Sequence, residues 1–168
     1  MSTAISTPQF GIGEPVVYPQ QGLGIVRSIR QREAHGVVEN YYDIYMETSQ
    51  MTILIPVSRA GELGMRHVVS KKEAQDAINS ITGRGEACPA DWKLRYQRNQ
   101  DLIRKGTIGS IAKVVQTLYH RSKIKELPIQ ERKLYENALE LLINESSYAI
   151  GKERDEISAL ILSRLEKS

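Results

Sequence analysis

The chain has 168 residues, of which 40% are hydrophobic and 26% are charged, and its net charge is +3. This length and apolar content argue against a disordered chain and allow one large domain or two small ones. The only cysteine, Cys88, excludes an internal disulfide and a cysteine-based zinc site, which is typical of a reducing compartment. No apolar run approaches the ~20 residues of a membrane span, so we expect a cytoplasmic protein without membrane contact.

The first third of the chain is rich in β-forming runs. Two such runs within residues 14–29 flank a Pro-Gln-Gln-Gly-Leu-Gly turn, and glycines at positions 22 and 24 give that turn backbone freedom. Similar runs follow at residues 41–46 and 51–57. The pattern predicts a small antiparallel β-barrel, too small for a large ligand pocket, as in modules that bind a partner.

The sequence period changes from that of strands to that of helices near residue 70. Ser70 and Glu73 form a capping-box pattern that opens a first helix, which we expect to end at Gly83 and Gly85. Further helices are predicted to begin near Asp91, Thr107, Pro128 and Lys152, with Gly106 and Gly151 ending the second and the fourth. The predicted fold class is α+β, with a β-barrel followed by a compact bundle of about five helices.

Positive charge is concentrated in the middle of the chain. Residues 84–125 hold ten Lys or Arg against three Asp or Glu, a local net charge of +7. An anionic partner would explain this segment. The alternative is that these side chains form solvated faces of helices, which is the usual role of a charge run.

The sequence offers no catalytic pattern. The three histidines, His35, His67 and His120, lie far apart and lack the paired spacing of metal ligands. The glycine pairs do not complete a nucleotide-binding motif, and no carboxylate pair is marked as a tuned acid and base. We therefore predict a protein that is not an enzyme, with no cofactor, metal or small-molecule substrate.

Trp92 is the only tryptophan and stands at the start of a predicted helix, beside Lys93, Arg95 and Arg98. Two interpretations are open. The ring could anchor the core by packing over Tyr96 one turn later. It could instead be exposed amid positive charge, where an indole stacks on bases or wedges between them while Lys and Arg bind phosphates.

Nearly the whole chain resembles the CarD/CdnL family of bacterial transcription regulators, whose first domain is shared with transcription-repair coupling factors. In the first half the resemblance rests on Val17-Tyr18-Pro19, Gly22-Leu23-Gly24 and Ile55-Pro56-Val57. In the second half it rests on Trp92-Lys93-Leu94-Arg95-Tyr96, Gly106, Ile111-Ala112-Lys113-Val114-Val115, Leu118-Tyr119 and Glu131-Arg132-Lys133. The two halves together are specific for the family.

Residues 1–9 are polar and lack a basic start and an apolar core, which predicts a disordered tail rather than a signal peptide. The resemblance begins after this tail and implies a Tudor-like or SH3-like domain at 10–68 and an all-helical domain at 70–168. The Tudor-like domain would bind the RNA polymerase β subunit through Arg32, Tyr42, Ile44, Leu54 and Pro56. The helical domain would contact promoter DNA at the upstream edge of the bubble and stabilise the open complex. Trp92 would be the minor-groove wedge, with Lys93, Arg95, Arg98 and Arg132 as phosphate partners.

One departure from the family concerns Leu94 and Gln97, which stand where related sequences often have basic residues. Either DNA contact is weaker here, or Leu94 belongs to a helix face that is turned inward. An alternative function also stays open, in which the chain is a protein-interaction adaptor and its basic helices bind an acidic protein instead of DNA.

Overall fold

The structure, a computed structural model, describes residues 7–167, so most of the predicted tail lies outside the described residues. The described chain divides into two compact units, the first ending at Val68 and the second beginning at Val69. The first unit contains the strands β1 (Pro15–Tyr18), β2 (Gly22–Ala34), β3 (Val37–Met46), β4 (Met51–Pro56) and β5 (Arg66–His67). The second contains the helices α1 (Lys71–Asn79), α2 (Trp92–Lys105), α3 (Ile108–Ile124), α4 (Ile129–Ile150) and α5 (Arg154–Glu166). The predicted α+β fold class is confirmed.

The five strands form one antiparallel sheet in the order β4-β3-β2-β1-β5. The prediction of a closed barrel is wrong, because β4 and β5 do not pair with each other in the described part of the chain. Closure requires the two outer strands to hydrogen-bond. Here β5 has only two residues and pairs with β1 alone, so the sheet keeps two edges.

The sheet buries one of its faces. Side chains that alternate along the strands, among them Val16, Val26, Tyr42, Ile44 and Ile55, are at most 2% exposed and form the core of the first unit. Phe10 covers this face and meets the ring of Tyr42 edge-on, with centroids 5.7 Å apart. The Tyr42 hydroxyl also accepts hydrogen bonds from the backbone N–H groups of Gln9 (2.8 Å) and Phe10 (3.2 Å). The segment before β1 is therefore held by β3.

The two glycines of the first turn serve different needs. Gly22 has a φ of 86°, a left-handed conformation that glycine adopts without strain. Gly24 is needed for space, since a Cβ at this position would lie 2.5 Å from Met46 Sδ and 2.7 Å from Ile44 Cγ2. The close approach of β2 to the core side chains of β3 depends on the missing side chain.

The predicted helix caps are present in the second unit. The side chains of Ser70, Asp91 and Thr107 accept backbone hydrogen bonds at the starts of α1, α2 and α3, at 3.1, 3.0 and 3.2 Å. Gly106 and Gly151 end α2 and α4 in the left-handed conformation, as expected. The first helix ends earlier than predicted, at Asn79.

The core of the second unit lies mainly along α3 and α4. Val114, Val115 and Leu118 of α3 and Leu142 of α4 are fully buried, and Ile157 of α5 completes the cluster. This stripe recurs at helical spacing, which is how the sequence indicated a bundle. No helix among residues 7–167 is long and apolar enough to cross a lipid bilayer.

We predict that Gly24→Ala lowers the free energy of unfolding by about 1–3 kcal/mol, because the added methyl group must displace Met46 or Ile44 in a packed core. Gly61→Ala is the matched control, since a Cβ at Gly61 meets no atom within 4 Å and its φ is not in the left-handed region. Chemical denaturation of both variants measures the difference. Equal unfolding free energies for the two variants would contradict the close approach of β2 to β3.

Candidate nucleic-acid interface

Trp92 is the first residue of α2. The helix begins here because the Asp91 side chain caps it by accepting a hydrogen bond from the Lys93 backbone N–H. The indole is half-buried and its centroid lies 6.3 Å from that of Tyr96, with the ring planes inclined at 59°. Trp92 does not belong to the core of the second unit. The ring therefore packs along its own helix while keeping part of its surface exposed.

Arg95 lies one turn after Trp92 and is 2% exposed. Its Nε donates to Glu131 Oε2 at 3.0 Å and its Nη2 donates to Glu131 Oε1 at 2.7 Å, which makes a bidentate ion pair. Nη1 donates to the backbone carbonyls of Pro89 (2.9 Å) and Ala90 (3.2 Å). The expectation that Arg95 contacts phosphate does not fit this geometry, because its guanidinium is buried and its charge is paired with a carboxylate.

The Arg95–Glu131 ion pair determines which parts of the second unit are neighbours. Glu131 lies in the first turn of α4, so the pair brings the first turn of α2 next to the first turn of α4. Lys125 directly follows α3, and three residues separate it from α4. We call the resulting surface the basic end; its residues are Trp92, Lys93, Lys125, Arg132 and Lys133.

Positive charge at the basic end comes from exposed side chains and from the amino termini of two helices. The four cations are exposed, and Arg132 has a weak ion pair with the exposed Glu126, 3.5 Å away. The amino termini of α2 and α4 add the positive ends of two helix dipoles. Such an arrangement attracts phosphate groups without selecting a base sequence.

Two exposed apolar side chains stand beside these charges. Leu94, which follows Lys93 in α2, is 61% exposed. Ile129, the first residue of α4, is 58% exposed. The alternative that Leu94 belongs to an inward helix face is therefore wrong. The first turns of α2 and α4 thus each expose an apolar side chain as well as positive charge.

Arg98 is separated from the basic end. Its Nη2 lies 3.1 Å from Glu86 Oε2, in the segment that precedes α2, and both side chains are at least half exposed. An exposed pair of this kind contributes little to stability and can exchange partners. Arg98 is thus engaged with the segment before α2.

The residues predicted to bind the polymerase fall on both faces of the sheet. Tyr42 and Ile44 are at most 1% exposed and point into the core, so their side chains do not face a partner. The prediction failed at these two positions because alternate residues of a strand lie on opposite faces, and β3 turns them inward. Arg32 is exposed, and Leu54 and Pro56 are half-buried on the opposite, outer face.

The outer face holds two arginines that the sequence pattern did not indicate, each in contact with a residue of β3. The Arg27 guanidinium lies 3.8 Å from the centroid of the Tyr45 ring. Arg30 makes a 3.0 Å ion pair with Asp43, whose side chain is only 8% exposed. The alternation along β3 could have assigned Asp43 and Tyr45 to this face, whereas the register between β2 and β3, which shifts between Val26 and Ser28, is a tertiary property.

Comparison with known proteins gives two family matches, one in each half of the chain. The family described as "CarD-like/TRCF RID domain" matches residues 10–69, and the family described as "CarD, C-terminal domain" matches residues 76–162. A Bacillus subtilis (strain 168) protein named "Putative transcription factor YdeB" is 38% identical over 137 residues, which cover 81% of this chain and 89% of the relative. Fold and similarity together define a transcription factor that is not an enzyme.

The particular family follows from the same matches. The chain belongs to the CarD family, since one family match alone covers more than half of its length and the relative covers most of it.

We predict that Glu131→Ala lowers the free energy of unfolding by about 3–5 kcal/mol, because it leaves the Arg95 guanidinium buried without a counter-charge. The double variant Arg95→Met/Glu131→Leu removes both charges and should recover most of this loss. Glu86→Ala breaks the exposed ion pair with Arg98, which is 3.1 Å long, and should lower the free energy of unfolding by less than about 1 kcal/mol. Chemical denaturation followed by helical circular dichroism compares the three; equal losses for Glu131→Ala and Glu86→Ala would show that the buried pair is not a structural constraint.

Proposed function

We propose that this chain binds the RNA polymerase β subunit through its first unit and promoter DNA through the basic end, and that it stabilises the open complex. The observation that carries the proposal is the position of Trp92, half exposed at the start of α2, next to the exposed Lys93. The Arg95–Glu131 ion pair brings this turn against the first turn of α4, where Arg132 and Lys133 are exposed. The family match at residues 10–69, whose name refers to the domain shared with coupling factors, supports the polymerase half.

The basic end suits a DNA that is already partly opened. An aromatic wedge costs less unstacking energy at a splayed bubble edge than in intact duplex. A protein shifts an equilibrium only if it binds one state better than the other, and a difference of ~1.4 kcal/mol changes the equilibrium constant about tenfold. Trp92 would provide this difference, while Lys93 and Arg132 would provide sequence-independent affinity for phosphate that falls with salt.

The first unit offers two features for protein binding. β4 is an edge strand whose outer side is unpaired within residues 7–167, and a partner strand can extend the sheet there. Leu54 and Pro56 of this strand lie half-buried on the outer face, next to Tyr41 and Asp43 of β3. Binding to the polymerase would raise the local concentration of the basic end near DNA, so weak DNA contacts suffice.

We predict that Trp92→Ala leaves polymerase binding unchanged and shortens the open-complex lifetime, because the wedge is lost while the core stays intact. The stability loss should be well below the ~3–5 kcal/mol that removal of a core aromatic side chain costs. Tyr148→Ala is the control, since Tyr148 is also aromatic and 51% exposed but lies near the other end of α4. Promoter-complex decay and thermal denaturation are measured on both variants.

A core-sized stability loss for Trp92→Ala would overturn the wedge, and so would an unchanged decay rate. If the polymerase retains the wild-type chain while footprints and open-complex lifetimes do not respond to it, the adaptor that binds an acidic protein is the better description.

We predict that Arg32→Glu weakens capture of the isolated β subunit, because the exposed guanidinium would face the partner. Glu39 lies opposite Arg32 in the β2–β3 register, so Arg32→Gln is included to separate lost attraction from repulsion within the hairpin. Arg59→Glu reverses another exposed charge, outside the sheet, and serves as the control. Capture that is equal for Arg32→Glu and Arg59→Glu would remove Arg32 from the interface.

A further inference from the structure

The second unit contains a cavity that the proposed function does not use. It has a volume of about 470 Å³ and lies between α2, α3 and the segment that joins α1 to α2. Sites for small ligands typically fall in this range of volume and are largely formed before the ligand arrives.

The walls of the cavity are fixed by hydrogen bonds and close packing. Gln116 of α3 is 7% exposed, and its Nε2 donates to the Gly83 carbonyl at 3.0 Å. A Cβ on Gly85 would lie 2.6 Å from Gln116 Oε1, so the joining segment lies tightly against α3. At its other end this segment is held by Arg95, which binds the carbonyls of Pro89 and Ala90. The cavity is therefore a preformed feature of the unit.

The unpaired charges on the wall are positive. Both carboxylates that line the cavity have cationic or amide partners: Glu86 pairs with Arg98 at 3.1 Å, and Asp101 binds Arg104 and Gln97, each at 3.1 Å. Lys105 at the end of α2 and Lys113 on α3 also line it, and neither makes an ion pair with another described residue. Two ammonium groups on adjacent helices match a ligand that carries two negative charges better than a monocarboxylate.

Asn99 supplies an unused hydrogen-bond donor. The residue lines the cavity and is 3% exposed, and its Nδ2 is buried without a hydrogen-bond partner among residues 7–167. A buried donor without an acceptor is costly and rare in folded proteins, so each such group requires an explanation. An acceptor oxygen of a bound molecule would satisfy it.

We propose that this cavity binds a small phosphorylated molecule of up to mononucleotide size, with Lys105 and Lys113 contacting the phosphate and Asn99 donating to an oxygen of the ligand. The proposal does not rest on DNA or polymerase binding, since none of its three residues belongs to the basic end.

Cys88 provides a reporter in the full-length protein. It is the only cysteine, it lines the cavity, and it is half-buried. Iodoacetamide, which is uncharged, measures its alkylation rate at constant pH and ionic strength. Millimolar ADP, GDP and inorganic pyrophosphate are the probes, and adenosine is the control without phosphate. We expect at least one of the three phosphorylated probes to slow alkylation about tenfold in a saturable manner, and adenosine to have no effect.

Variants test whether the protection of Cys88 arises from binding in the cavity. In Lys105→Ala/Lys113→Ala the apparent dissociation constant should rise at least about tenfold, whereas Lys72→Ala/Lys152→Ala removes two exposed charges that do not line the cavity and should leave it unchanged. Circular dichroism confirms that each variant is folded. The proposal is overturned if none of the three probes protects Cys88 from alkylation. It is also overturned if protection survives in Lys105→Ala/Lys113→Ala. Protection by a short DNA duplex but by none of the probes would assign the site to the DNA backbone, and also overturns it.

Discussion

The bidentate ion pair between Arg95 and Glu131 fixes the start of α2 against the start of α4, and the arrangement of the second unit depends on it. Taking two charges out of water is costly, and the cost is offset only when geometry and further hydrogen bonds are favourable. Both conditions are met, because the Arg95 guanidinium also binds the carbonyls of Pro89 and Ala90. Loss of one partner would leave a buried charge without a counter-charge, which is strongly destabilising.

This constraint places two different surfaces on a single helix. The first turn of α2 carries Trp92 and Lys93 to the basic end, while Asn99 and Lys105 further along α2 line the cavity. Arg95 lies between these surfaces and also holds the segment that closes the cavity. The two surfaces therefore share one structural support, although they involve different side chains.

In the first unit, a small sheet buries one face and keeps the other face available for a partner. Tyr42 fills the core with its ring and holds Gln9 and Phe10 with its hydroxyl. On the outer face, Arg27 covers Tyr45 and Arg30 neutralises Asp43. Because the sheet does not close, β4 retains an edge at which backbone groups can pair with a partner strand.

Local features of the sequence were sufficient for the helices. Ser70, Asp91 and Thr107 cap them, Gly106 and Gly151 end them, and apolar spacing gives the buried stripe of α3, because these signals act within one or two turns of chain. The motifs of the two halves together were also sufficient to indicate the family. The sequence could not predict that the sheet stays open, since closure depends on pairing between strands that are distant along the chain.

The same limit applies to individual side chains. By itself, the sequence determined the strand and helix content, the family and the position of Trp92 at a helix start, because each of these depends on neighbouring residues. Only the tertiary structure decided that Arg95 is buried while Lys93 and Arg132 are exposed, and that Tyr42 and Ile44 face the core. Arg95 finds its counter-charge 36 residues away, and burial is set by such distant contacts rather than by residue type.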